Sequence, residues 1–180
     1  MPFLKRLSRL IGLEAPLTHI DSGHTAPGFS LKALDGKEYS LQKLLERGPA
    51  VVAFFKVSCP VCQFTFPFLQ RLHERYAGDG ATVIGVSQDD ARDTKEFNQE
   101  YGVTFLTLVD IEGYPASNAY GLTSVPTIFL IAPDGKVKVS CMGFSKSDLE
   151  KIASELSLYK KMQAAPLFRT NEIVPAYKPG

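Results

Sequence analysis

Residues 50–55 read Ala-Val-Val-Ala-Phe-Phe, six apolar positions with no polar one among them. A strand that shows one face to water alternates polar and apolar side chains; a strand covered on both faces does not. The run follows Gly48-Pro49, stops at Lys56, and is far too short to cross a membrane. It predicts a central strand of a sheet with helices on both faces. Residues 82–86 (TVIGV) predict a second strand and residues 105–110 (FLTLVD) a third.

Between these runs the spacing becomes helical. Val61, Phe64, Phe68 and Leu72 share one stripe, with Leu69 and Tyr76 beside it, so a helix should follow residue 59, kink at Pro67 and stop at Gly78 and Gly80. Asp90 and Asp93 form a capping-box-like start for a helix that ends at Gly102. ASNAYG (116–121) predicts a short helix, and Ser145 opens a last one that buries Leu149, Ile152, Ala153 and Leu156. Two hairpins frame the chain: residues 29–41 turn at Asp35-Gly36, and residues 125–143 turn at Asp134-Gly135. Ser40 caps a short helix after the first hairpin. The fold class is α/β: a mixed sheet with a parallel centre and an antiparallel closing hairpin, helices on both faces.

Residues 26–163 are expected to form this one domain. Residues 1–25 form an N-terminal extension and residues 164–180 a tail. THIDSGHTAPG (18–28) is linker-like, so order should begin at Ala26-Pro27. The tail has three prolines and no period, and should lie extended over the surface or stay mobile. Phe3, Leu4, Leu7, Leu10 and Ile11 recur at helical spacing among Lys5, Arg6 and Arg9. They suggest a short helix docked on the domain, with a membrane-surface helix as the alternative. The longest uncharged run there, Leu10 to Leu13, is shorter than a secretory signal needs, so the expectation is a cytoplasmic protein without stable membrane insertion. A net charge of +1 offers no general field for nucleic acid. Three cysteines are too few for a disulfide scaffold.

Two of those cysteines carry the chemistry. Cys59-Pro60-Val61-Cys62 stands where the first buried strand passes into the first long helix. A C-x-x-C alone fits a redox pair, half of a metal site or two buried apolar residues. A zinc site needs four ligands, and Cys141, His19, His24 and His73 are not at finger-like spacing. A solvent-facing helix start is the wrong place for an inert pair. Pro60 suits the first helical position, where a missing N–H costs nothing. The Cys59 sulfur then faces free backbone N–H groups and the positive end of the helix, which both favour the thiolate. Cys62 lies one turn deeper. Cys59 is thus expected to attack a disulfide and Cys62 to resolve the mixed disulfide.

The order of elements, CPVC at a strand-to-helix junction and Ser-Val-Pro-Thr (124–127) before the closing hairpin resemble the thioredoxin fold. More closely, the chain resembles the TlpA-type thiol-disulfide oxidoreductases, which overlap the AhpC/TSA (alkyl hydroperoxide reductase/thiol-specific antioxidant) family. Further matching features are Ala26-Pro27-Gly28-Phe29, Pro67, Gly102-Val103, Tyr120-Gly121 and Pro133-Asp134-Gly135-Lys136. The resemblance spans roughly residues 26–157. It implies a cis bond before Pro126 and a partner-facing surface made of Pro60, Val61, Val125, Pro126 and Gly143. The partner would be a protein disulfide or dithiol bound partly by strand addition at Val125. No cofactor or metal is implied, and oligomeric state is left open.

Departures from the family pattern bear on the proton. Ala53 stands at the place of thioredoxin's buried aspartate, and Thr65 at that of the glutamate many TlpA-type proteins carry. Ser58 replaces the tryptophan usual before the first cysteine. The proton relay is therefore unknown, and slow resolution is expected. Lys56 is either an electrostatic influence on Cys59 or a solvated lysine. Asp89, Asp90 and Glu74 are read as surface or capping residues. Cys141 has the strand parity of Gly143, with a buried structural thiol as the reading and a third redox role as the alternative.

Two other functions stay open. VIGVSQDDARDTKEF (83–97) looks peroxiredoxin-like, although the threonine and arginine with which peroxiredoxins bind peroxide are replaced by Lys56 and Val125-Pro126. A non-catalytic redox-sensing module could use the same groove.

Overall fold

The computed structural model describes residues 18–78 and 80–180, so the helix expected over Phe3 to Ile11 lies outside the described residues. Seven strands form the main sheet: β1 (Ser30–Ala33), β2 (Glu38–Ser40), β3 (Ala50–Phe55), β4 (Thr82–Ser87), β5 (Leu106–Val109), β6 (Thr127–Ile131) and β7 (Val137–Met142). Their order across the sheet is β2-β1-β5-β4-β3-β6-β7. The central β3, β4 and β5 run parallel. Antiparallel pairing attaches β1 and β2 at one side and β6 and β7 at the other. Five helices connect them: α1 (Leu41–Leu45), α2 (Pro60–Tyr76), α3 (Ala91–Glu100), α4 (Pro115–Ala119) and α5 (Lys146–Tyr159). This is the mixed-sheet α/β architecture read from the sequence.

The six residues of β3 are all fully buried, and their side chains divide by parity. Val51, Ala53 and Phe55 face a core built with α2, α3 and α5. Ala50, Val52 and Phe54 face a second core built with α1, α4 and Tyr120. Two cores on one strand explain why the run has no polar position. The helix starts are held by side-chain oxygens as their sequences suggest: Ser40 accepts from the Lys43 N–H, Asp90 from Asp93 and Ser145 from Asp148.

The buried face of α2 is broader than its predicted stripe. Cys62, Phe66, Leu69, Leu72 and Tyr76 point into the sheet core, and Phe64 and Phe68 form a second line. That second line is covered by Phe144 and by Phe168 of the tail, whose ring lies 4.9 Å from that of Phe68. Both lines are apolar because α2 has two neighbours, not one.

Both ends of the described chain pack more closely than their composition suggests. Residues 18–25 lie against the domain: Ile20 N–H donates to the Tyr120 carbonyl, His19 Nε2 lies 2.8 Å from Ser140 Oγ, and Thr25 bridges to Lys136. Order therefore reaches back beyond Ala26, because the linker-like residues find partners on β7 and after α4. After α5 the tail turns back over α2. Leu167 and Phe168 are buried, Arg71 grips Glu172 through two hydrogen bonds of 2.8 and 2.7 Å, and β9 (Tyr177–Lys178) pairs antiparallel with β8 (Phe144–Ser145). No helix among the described residues is long and apolar enough to cross a membrane.

Candidate active site

The parallel strands β3 and β4 end side by side, and the site is built at that edge. Cys59 is the N-cap of α2, with Pro60 at the first helical position. The loop between Phe55 and Cys59 is tied by hydrogen bonds at Lys56, Val57 and Cys59. Val57 N–H donates to Asp89 Oδ2 at 2.7 Å, Gln63 Nε2 donates to the Val57 carbonyl at 2.9 Å, and Cys59 N–H donates to the Lys56 carbonyl at 3.2 Å. The sulfur is thus carried on a hydrogen-bonded loop.

Cys59 is half-buried, between exposed Ser58 and exposed Pro60. Its sulfur accepts the Cys62 N–H at 3.3 Å, the helix-cap bond expected from its position. Its S–H donates to the Val125 carbonyl at 3.3 Å. The Val125-Pro126 bond is cis, and Gly143 N–H donates to the Pro126 carbonyl at 2.7 Å. The structure thus brings together Cys59, Cys62, Val125, Pro126 and Gly143, from segments as distant in sequence as the start of α2 and the residue that links β7 to β8. Pro60 and half-buried Val61 sit on the same helix turn.

Cys62 is fully buried, against the core that holds Ala53. Burial pushes its thiol well above the usual range, and the adjacent Cys59 sulfur pushes the same way. A backbone hydrogen bond from Lys56 works against both, and the Asp89 charge adds a further upward push. Thr65 offers no relief, since its hydroxyl donates to the Val61 carbonyl at 2.6 Å. The lysine ammonium takes no visible part: Lys56 is exposed, and its backbone is what reaches Cys62. All three cysteines are free thiols. Cys141 is buried, donates to the Gly143 carbonyl at 3.6 Å and is pushed up to about 12, chiefly by burial.

Asp89 is half-buried against the Cys59 loop, not the surface or capping residue its sequence suggests. It stands between Gln88 and a helix cap, which reads as surface. A long-range signal could have found it. Residues following adjacent parallel strands meet at one edge of a sheet, as the Gln88 N–H to Phe55 carbonyl bond shows. Asp89 therefore faces the loop that precedes Cys59.

Residues 22–140 match the model of the AhpC/TSA family. The chain belongs to that family. It is also similar to the thiol-disulfide oxidoreductase ResA of Geobacillus thermodenitrificans, 30% identical over 136 residues that cover 74% of this chain and 77% of that one. Among solved structures, a thiol:disulfide interchange protein of the thioredoxin family from Chlorobium tepidum matches with a TM-score of 0.63 and 26% identity, covering 76% of this chain and 97% of its own. The peroxidoxin BcpB of Mycobacterium tuberculosis matches with a TM-score of 0.65 at 23% identity, over 81% of this chain and 99% of its own, a likeness of fold alone. This AhpC/TSA member is thioredoxin-like in fold and an oxidoreductase of the thiol-disulfide type.

Proposed function

We propose that the chain exchanges disulfides with a protein partner through Cys59 and Cys62. The observation that carries this reading is the division of exposure within one helical turn: Cys59 is half-buried at a capped helix start, and Cys62 beneath it is sealed in the core. In the reducing direction the Cys59 thiolate attacks one sulfur of the partner disulfide, and the other partner sulfur leaves as a thiolate. Cys62 then gives up its proton and attacks the Cys59 sulfur. The second partner thiol is released, and the Cys59–Cys62 disulfide holds the two electrons' worth of oxidation. A dithiol reductant returns the pair to the starting state; the same steps in reverse oxidise a partner dithiol. Val125 supports the partner's placement, since its carbonyl already sits within hydrogen-bonding distance of the attacking sulfur.

The test compares insulin-disulfide reduction with peroxide consumption in the natural chain, Cys59→Ser and Cys62→Ser. Disulfide turnover should need both sulfurs, and Cys62→Ser should accumulate a mixed disulfide with its partner. Peroxide consumption that survives Cys62→Ser would replace this reading with a peroxidase. Reversible oxidation without turnover would replace it with a sensor.

A further inference from the structure

Residues 176–180, after α5, pack against the edge of the fold that holds Cys59. In the β8–β9 pair Tyr177 lies opposite Ser145 and Lys178 opposite Phe144, and the Ala176 carbonyl accepts from Lys146 N–H at 2.9 Å. Beyond that pair the backbone presses on Gly143. A methyl group there would overlap the Lys178 carbonyl oxygen and come within 2.8 Å of the Gly180 nitrogen. Gly180 in turn abuts the residues before the cis-proline: a methyl on it would lie 2.7 Å from the Val125 carbonyl oxygen and 3.2 Å from Ser124 Oγ. That Val125 oxygen is the one that accepts from Cys59. Residues 177–180 thus fill the space between Gly143 and Val125.

The segment is also held from the side. The Lys178 ammonium stands 5.1 Å from the centre of the Phe64 ring, on the first turns of the helix that Cys59 caps. Strand addition needs a free backbone edge, and β9 takes the edge of β8. On the other flank of Cys59, Ser58 and Pro60 remain exposed. One approach to the sulfur is open and the other is occupied.

We propose, resting on the thiol-disulfide exchange reading above, that residues 177–180 are the specificity-determining wall of the site. With the segment in place Cys59 meets small-molecule disulfides from the open flank, and a polypeptide disulfide reacts after the segment lifts. Both substrates undergo the same balanced reaction: one disulfide is reduced to two thiols, and the Cys59–Cys62 dithiol is oxidised to one disulfide. The anchors that hold the tail to the core, Phe168 and the Arg71–Glu172 pair, precede the segment, so lifting it leaves them in place.

The experiment is a single turnover of the pre-reduced protein against glutathione disulfide and against insulin. Acid quenching and thiol alkylation follow the Cys59–Cys62 disulfide. A segment lifted one tenth of the time lowers the apparent reactivity toward a competing chain about tenfold. Removal of residues 176–180 should therefore raise the insulin rate by about tenfold and leave the glutathione disulfide rate unchanged. Lys178→Ala in the full chain removes the ammonium from beside the Phe64 ring without shortening the segment, and should move the insulin rate alone, in the same direction. No acceleration with insulin in either variant, or equal acceleration with both substrates, overturns the proposal. A reduced pair that neither disulfide oxidises in any variant overturns the exchange reading itself, a distinct result.

Discussion

Resolution of the mixed disulfide is expected to quicken about tenfold for each pH unit between pH 6 and 9, because a thiol far below its pKa gains thiolate in that proportion. The structural cause is the Cys62 environment. Burial is the largest influence lifting its thiol above the ordinary 9.0, and the Asp89 charge works in the same direction. Once Cys59 is tied to a partner it carries no charge, so its own upward push disappears; burial and Asp89 remain, and the direction holds. Neither Ala53 nor Thr65 can take the proton, the first for want of a polar atom and the second because its hydroxyl is committed to Val61. The assay uses a symmetrical aromatic disulfide whose thiolate absorbs light. Attack by Cys59 releases the first equivalent and resolution by Cys62 the second, while Cys62→Ser releases only the first. A second-phase rate that stays level from pH 7 to 9 would refute the reasoning, since some group would then be accepting the proton from Cys62.

Other outcomes follow from the packing and the charges. Phe66 is fully buried among Phe55, Phe97 and Phe105, with ring centres 4.3, 5.2 and 5.8 Å away. Phe66→Ala should cost about 3–5 kcal/mol in urea unfolding. Asp110 is fully buried and accepts from Ala116 N–H, Ser117 N–H and the Ser117 hydroxyl. Asp110→Ala strands these donors and should cost about 3 kcal/mol by the same measurement. The Arg71 hydrogen bonds, then the Arg169 N–H, hold the Glu172 carboxyl at about 2 against an ordinary 4.5. A depressed carboxylate contributes its stability above the unfolded value and loses it as pH falls through the folded one. Hydrogen exchange should therefore show the amides of residues 167–178 losing protection between pH 4.5 and 2, before those of β3 and β4.

The features legible in the sequence share one property: their physical cause lies within a few residues of the chain. AVVAFF announces a doubly covered strand because each of its side chains must find an apolar face, and Ser40, Asp90 and Ser145 announce helix starts because an oxygen three residues away satisfies a free N–H. The position of Cys59 at a capped, proline-led helix start is of the same kind. What escaped has partners far along the chain. Arg71 and Glu172 are separated by 101 residues, and Val57 and Asp89 by 32. Neither pair has a local period to betray it. The tail is the sharpest case. Leu167 and Phe168 are two apolar residues in a run without periodicity, and the burial of Phe168 depends on Phe68 and Phe144 already standing side by side.

The same separation divides what the site does from what it acts on. The proposed attacking and resolving order rests on one helical turn, so four consecutive residues are enough to specify it. The proposed control of access to that turn rests on Val125, Gly143 and the strand at 177–178, which meet only after the sheet has formed. A chain with the same Cys-x-x-Cys helix start can therefore share the proposed reaction and differ in substrate, since the strand at 177–178 belongs to a segment on which that reaction places no demand.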